Sequence, residues 1–546
     1  MFEVTMEDIQ QLNATQLVDL LRRLLILEAT THAVQPVDLD VPLNITSKDG
    51  GVDASIAWQL NIKATPYLPS NKVIFQCKAT YKSGGMGPAA CAKEIAKPIS
   101  LRVLREGGSY IIFCTEAFTA SLMENRLTEM WNKLLESGWT NQTLNEATKN
   151  RIRIYDANKI REWVNVYIGA ITAIHEYLGK PIPSAAKTFE EWSKYIIKPK
   201  TQKYVHSDFT IASSEEVYLK FLRKMEIKIF RVFGESGCGK TRFVYELLRY
   251  NQTQENFSTN IQKSTIYIDA TDPRDLIENI ESWVRQGRTG ILIVDKCDKK
   301  LHKKLFDIAC TEDCKFKIIT IGLKPVEQLQ GLLLLDFNKK LDIEKILECY
   351  SPTLNKSQID VLDEISFNNI GLALEFASII DQFDLTEVSK RSYLKYVKII
   401  KTLLSKKLME NSNPHKIMLA LALFEKIGWL NEQREHYKFV AKSIIDIDPN
   451  EFFAFMKREL INKNRLAIEG DFVFITPKPL KTILAAVWWN ECSPDRAYKV
   501  IEAILNSLYV EDFFKSLASL NTLPSIIDDI ETIFNQQRLM SLFNLE

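Results

Sequence analysis

No apolar run in this chain approaches the 18 residues that a membrane-crossing helix needs, and the longest candidates, such as residues 331–335, fall far short. Glycine and proline are scarce, 20 and 18 of 546 residues, which excludes a collagen-like or largely disordered chain. Nine cysteines, an odd number without framework spacing, exclude a disulfide scaffold and read as reduced thiols of a cytosolic protein. His302 lies near Cys310 and Cys314 in sequence, yet no fourth ligand or finger spacing follows, so a structural zinc site is not expected. The amino terminus, MFEVTMEDIQ, is acidic and lacks an apolar signal core; export is not expected and the predicted location is the cytoplasm, with no membrane partner. An excess of one charge is also missing, with 70 Lys and Arg against 69 Asp and Glu. What remains is an ordinary globular composition, 46% hydrophobic and 25% charged, long enough for three or four domains.

The balanced charge is unevenly spread. Residues 54–105 hold eight basic side chains (Lys63, Lys72, Lys78, Lys82, Lys93, Lys97, Arg102, Arg105) and one acid, Glu94. Residues 501–546 hold seven acids and two bases. A basic segment in a neutral protein is the footprint of phosphate contact, or else a solvated helix face with loops. Three textures divide the chain. Residues 1–180 alternate helical patterns (16–30, 89–105) with strand patterns (54–63, 73–80, 110–114, 151–155). Residues 181–213 read as a connection that packs, because Trp192, Tyr195 and Ile196 interrupt its prolines. Residues 214–340 again alternate strand and helix, and beyond 341 the pattern is helical except for the short strand 471–476.

The strongest motif is Gly234-Glu235-Ser236-Gly237-Cys238-Gly239-Lys240-Thr241, followed by Arg242, between a strand pattern (227–233) and a helix pattern (242–250). Glycines let successive backbone N–H groups curl around phosphate oxygens at the positive end of a helix. Lys240 then reaches the β- and γ-phosphates of ATP, and the Thr241 hydroxyl ligates Mg²⁺. The run GILIVDKCD, residues 290–298, supplies a buried strand ending in Asp295, placed to hold Mg²⁺ through water. Lys296 stands where strongly hydrolytic relatives carry a second acid; either Asp298 substitutes in positioning water, or hydrolysis is slow. The strand pattern 317–321 brings Thr320 either to the γ-phosphate or merely to a strand end. Arg274, Arg285 and Arg288 are equal candidates for an arginine finger.

A second constellation is Asp49-Gly50-Gly51-Val52-Asp53, with Gln76-Cys77-Lys78 following 23 residues after Asp53. Strand alternation puts Ile74, Gln76 and Lys78 on one face. Burying that polar pair without partners is costly, and an acid delivered by a glycine turn satisfies it. Metal-assisted phosphodiester cleavage asks for such a set. Asp53 offers Mg²⁺ a carboxylate, Gln76 or the Cys77 backbone carbonyl a second oxygen, and Lys78 steadies the attacking hydroxide. Glu28 is either an outer ligand or an ordinary helix-surface glutamate, and Asp49 is either a ligand or only the residue before the glycine turn.

Residues 1–176, with GGVD and QCK, resemble the Mrr-like restriction branch of the PD-(D/E)xK superfamily, in which Gln replaces the usual acid. The P-loop, the VDKCD strand and the helical texture behind it resemble the STAND branch of AAA-related NTPases, signal-transducing switches. In that branch a Gly-x-Pro turn sits near the nucleotide base; here Ala373 follows Gly371 in place of the proline. Residues 419–430 and 472–489 look like a winged-helix module, and the Pro477-Lys478-Pro479-Leu480 step resembles that of antiviral STAND (Avs) proteins of bacterial antiphage defence. The resemblance implies an α/β multidomain chain: a nuclease at 1–180, a linker at 181–213, an NTPase core at 214–340, a lid at 341–405, a winged helix at 406–490 and a helical segment at 491–546. It implies an ATP-dependent switch, triggered by a phage portal or large terminase, that forms a homo-oligomer, a tetramer, and cuts double-stranded DNA. Such relatives carry a long helical-repeat sensor, whereas 56 residues follow Asn490; a truncated chain, a short sensor and a separate sensing protein all remain open. Two other readings stand beside it: an NTP-dependent restriction endonuclease acting on modified DNA without a protein trigger, and a non-catalytic signalling ATPase.

Overall fold

The structure is a computed structural model that describes residues 3–32, 36–40, 52–59, 64–79, 85–180, 186–196, 221, 226–249, 261–270, 275–337, 342–366, 369–378, 380, 413–462, 465–518 and 520. The turn at 49–51, Arg274, residues 381–412 of the expected lid and winged helix, and the helical pattern near the carboxyl terminus at 521–546 lie outside the described residues.

The N-terminal unit is a mixed sheet in the order β1-β2-β3-β4-β5 (Pro36–Asp40, Ala54–Trp58, Lys72–Lys78, Ser109–Cys114, Ile152–Tyr155). The first two pairings are antiparallel and the last two parallel. Helix α1 (Ala14–Thr31) buries Leu17, Leu20, Leu21 and Leu24, the i, i+3, i+4, i+7 stripe of an amphipathic helix. That stripe shares a core with Val73 and Phe75 of β3 and with α5 (Ala157–Val166) and α6 (Ile168–Tyr177). The opposite sheet face, with Ile74 and Ile112, packs on α2 (Pro88–Ile95), α3 (Pro98–Arg105) and α4 (Ala120–Glu136). The single helix expected over 89–105 is two, because Pro98 lacks the N–H to continue the first and opens the second.

The central sheet runs β11-β7-β10-β9-β8-β6 (Leu332–Asp336, Ile229–Phe233, Lys315–Gly322, Thr289–Asp295, Thr265–Asp269, Ala186–Thr188). Five strands are parallel; β6, from the stretch read as a connection, adds an antiparallel edge. Its helix α7 (Phe189–Ile196) stacks Phe189 on Tyr245 and Trp192 on Tyr267. Alternation sends Ile291 and Ile293 to the face covered by α8 (Lys240–Arg249), and Leu292 and Val294 to the other. That other face meets the N-terminal unit. Helix α6 is buried from Ile168 to His175 between the central sheet and helices α1 and α5; a Cβ on Gly169 would stand 2.1 Å from the Lys263 carbonyl oxygen. Tyr167 forms a β-bridge with Thr289, and Arg288 lies 3.7 Å from Glu3. The two units therefore share one apolar core.

Helices α9 (Leu276–Arg285) and α10 (Lys299–Ala309) complete the central unit, and α11 (Ile343–Tyr350), α12 (Lys356–Ile365) and α13 (Ile370–Ala377) follow it. The C-terminal module comprises α14 (Asn413–Ala422), α15 (Pro449–Asn462), α16 (Lys478–Glu491), α17 (Pro494–Leu505) and α18 (Val510–Ala518) around a small antiparallel sheet, β12-β14-β13 (Ile427–Gly428, Phe472–Ile475, Leu466–Glu469). The β13–β14 turn reaches the central unit through an ion pair between Glu469 and Lys324.

Candidate active sites

The glycine loop joins β7 to α8. Gly234, Gly237 and Gly239 have φ of 151°, 81° and 97°, values that side-chain-bearing residues rarely adopt. The Lys240 ammonium is buried and donates to the carbonyls of Gly234 (2.8 Å) and Glu235 (2.5 Å). Thr241 donates its hydroxyl proton to Asp295 Oδ2 at 2.8 Å, and the Tyr267 hydroxyl donates to the same oxygen at 3.0 Å. Asp295 Oδ1 accepts the Lys296 N–H at 2.7 Å. Burial raises the Asp295 pKa against these bonds, with Asp269 nearby adding to the rise, and burial likewise pushes the Tyr267 hydroxyl up. The Cys238 thiol, buried beside the loop, is also raised. Arg242 turns to Glu246 of its own helix, 2.6 Å away.

Asn369 caps α13 and touches the loop: its amide donates to the Ser236 carbonyl at 2.5 Å while its oxygen accepts the Leu372 N–H at 3.0 Å. The Gly371 N–H donates to the Gly237 carbonyl at 2.9 Å. The Gly371–Ala373 turn thus packs on the loop itself, with Ala373 fully buried.

Other expected residues stand elsewhere. Thr320 faces away from α8: alternation along β10 aims it to the opposite side of the sheet, where its hydroxyl lies 2.9 Å from His302 Nδ1, fully buried. Asp298 caps α10, accepting the Leu301 N–H at 2.7 Å. Arg285 is exposed beside Glu281, and Arg288 is buried next to Glu3.

The second site lies at the end of β3. The register Ala54↔Phe75 sets Asp53 beside Gln76, and the Asp53 N–H donates to the Phe75 carbonyl at 2.9 Å. Asp53 Oδ2 accepts the Cys77 N–H at 2.7 Å and the Gln76 side-chain amide. Lys78 lies 3.0 Å from Glu94 of α2, which also pairs with Lys97, and Lys97 donates to Gln76 Oε1 at 3.5 Å. Burial pushes the Glu94 carboxyl up, but hydrogen bonds from Lys97 and Lys78 outweigh it and leave its pKa lowered. Asp53, Gln76, Cys77 and Lys78 therefore meet. Glu28 does not join them: it is buried on the α1 side of the sheet, accepting from Trp163 Nε1 at 2.9 Å and the Tyr167 hydroxyl at 2.6 Å. Sequence reasoning missed Glu94 and Lys97 as site residues, although Glu94 stood out as the single acid in the basic run.

The glycine loop, the buried acid ending β9 and the parallel order β11-β7-β10-β9-β8 settle the central unit's class. It has a P-loop NTPase fold. No family model matches the chain, and no curated protein matches it. Among solved structures it is similar to a signal transduction ATPase with numerous domains (STAND), with a tetratricopeptide repeat sensor, from Pyrococcus horikoshii. That pair is 12% identical with a TM-score of 0.26, over 63% of this chain and 52% of that one; the chain spans about half the length of that protein. It is also similar to ORC1 of Aeropyrum pernix, solved with DNA (12% identity, TM-score 0.30, 55% of this chain and 96% of that one), and to NtrX of Brucella abortus, solved with ATP (10%, 0.26, 70% and 88%). Among the described residues of the P-loop NTPase unit and the rest of the chain, no helix is long and apolar enough to cross a membrane.

Proposed function

We propose that this chain is a DNA endonuclease governed by its own P-loop NTPase, a STAND-type switch of antiphage defence. One observation carries the reading: Asp53, Gln76 and Lys78 converge with Glu94 at a strand end of a sheet that shares its core with the nucleotide-binding sheet.

At the P-loop, the Thr241 hydroxyl and Asp295 carboxylate are oxygen donors already in contact, a pair that suits Mg²⁺. Lys240 exchanges the carbonyls of Gly234 and Glu235 for ATP phosphate oxygens, and residues 234–239 supply N–H groups. At the second site the Asp53 carboxylate is an oxygen donor that suits the same hard cation, and the Gln76 amide, which turns its nitrogen to Asp53 and its oxygen to Lys97, would offer that oxygen with the amide flipped. Bound there, Mg²⁺ would supply polarisation of the phosphoryl oxygen and a more acidic water. Lys78 would hold the attacking water in place, and Glu94, 3.0 Å away, orients the lysine. Exposed Lys93, Arg102 and Arg105 on α2 and α3 match the phosphates of double-stranded DNA. The C-terminal module, with its β13–β14 hairpin packed against helices, supports the winged-helix reading of a hinge. By the family resemblance, the trigger is a phage portal or large terminase, and activation assembles a homo-oligomer, a tetramer.

The test incubates purified protein with plasmid DNA, Mg²⁺ and ATP, with and without phage lysate. Degradation that needs lysate and ATP, and that Asp53→Ala, Lys78→Ala and Lys240→Ala each abolish, is the expected result. Cleavage of modified DNA without lysate would favour a restriction enzyme instead, and full cleavage by Asp53→Ala would end the nuclease reading.

A further inference from the structure

The acid that normally follows the metal-binding aspartate is here Lys296, held at a φ of 55°. Its ammonium does not point into empty solvent: it lies 3.0 Å from Oδ2 of Asp269, the last residue of β8. Asp269 and Asp295 are register partners at the ends of adjacent parallel strands. Ligands of such sheets bind outside these carboxyl ends. Alternation along β8 puts Thr265, Tyr267 and Asp269 on one face, and that face is the one covered by the P-loop helix, because Tyr267 reaches Asp295 Oδ2 at 3.0 Å. Asp269 is the next position on that face towards the phosphate edge. Its side chain is 32% exposed, whereas Asp295 is buried, so water reaches the first and not the second.

We infer that Asp269 is the water-positioning carboxylate of the P-loop site, and that Lys296 restrains it by ion pairing. The inference rests on the P-loop site binding ATP, as proposed above. In the reaction, a water hydrogen-bonded to Asp269 donates its oxygen lone pair to the γ-phosphorus. The bond from that phosphorus to the β,γ-bridging oxygen breaks, ADP leaves with the electron pair, and the water's proton ends on the released phosphate. With the Lys296 ammonium on Asp269, the carboxylate is engaged elsewhere and turnover is slow. When Lys296 swings off, the carboxylate is available to the water.

Three measurements on full-length protein decide this: binding of a fluorescent ATP analogue, single-turnover release of phosphate from γ-labelled ATP, and thermal melting. Asp269→Asn should bind the analogue with wild-type affinity and melt as wild type, yet release phosphate about a hundredfold more slowly. Lys296→Met should release it several-fold faster than wild type, and adding Asp269→Asn to Lys296→Met should remove that gain. Asp269→Glu should retain part of the rate. Phosphate release by Asp269→Asn at the rate of its parent, in either background, overturns the assignment while leaving ATP binding intact. Failure of the wild type to bind the analogue overturns the ATP reading, and this inference with it.

Discussion

The Lys240 ammonium bonds to two carbonyls of its own loop. Those bonds satisfy the charge and must be exchanged when phosphate enters, so Lys240→Ala should lose most nucleotide affinity while the fold stays intact. His302 carries a different consequence. Burial, and Arg231 next to it, lower its pKa from 6.5 to about 4, so the unfolded state takes up a proton that the folded state refuses. Its contribution to stability is whole above pH 6.5 and is lost as pH falls towards about 4. Glu94 titrates below its usual 4.5, so its own loss falls below that window, and buried His436, lowered by burial to about 3, acts in the same direction as His302. We expect the melting temperature to drop between pH 7 and pH 5, and His302→Gln to flatten that drop; an unchanged slope would count against the assignment. Residues with motif spacing, from Gly234 to Thr241 and Asp295, were legible in the sequence because the chemistry fixes their separation. Thr320 was left between two readings because a strand's period of two says which residues share a face but not which face the nucleotide takes. Glu94 escaped because it reaches the site from a different element, and Asp269 because its neighbour in space lies 26 residues away.

At the scale of elements, the contact between α13 and the glycine loop has the clearest consequence. A Cβ on Gly237 would stand 2.6 Å from Asn369 Oδ1, in a backbone conformation already unfavourable to it. Gly237→Ala should therefore both strain the loop and push α13 away, at a cost of about 1–3 kcal/mol. Asn369→Ala removes the cap and the bond to Ser236 together; about 1 kcal/mol of helix stabilisation goes with it, and nucleotide release should quicken. Stopped-flow displacement of a fluorescent nucleotide measures this, and an unaltered release rate would separate the helix from nucleotide retention. The break at Pro98 was visible in the sequence as a proline, but a continuous helical pattern on both sides concealed it. Strand β13, with the sequence LAIE, is too short and too mixed to alternate, and only its pairing with β14 makes it a strand.

At the scale of the molecule, the sequence divided what the structure joins. Helix α6 is apolar almost all round, and nothing local says that the central sheet lies on one side of it and helices α1 and α5 on the other. Gly169 is the sensitive point, since any side chain there meets the Lys263 backbone. Gly169→Val should lower stability by about 2–3 kcal/mol and do so in a single transition, both units melting together; two separated transitions in calorimetry would contradict the shared core.

That shared core also bears on the proposed activation. If the N-terminal unit is the nuclease proposed above, it shares its core with the NTPase sheet and travels wherever that sheet is carried. In the proposed assembly, the distance and angle between cutting sites would then be dictated by the symmetry with which the NTPase units pack. The spacing of breaks along DNA would become a ruler for that symmetry, readable from fragment ends alone.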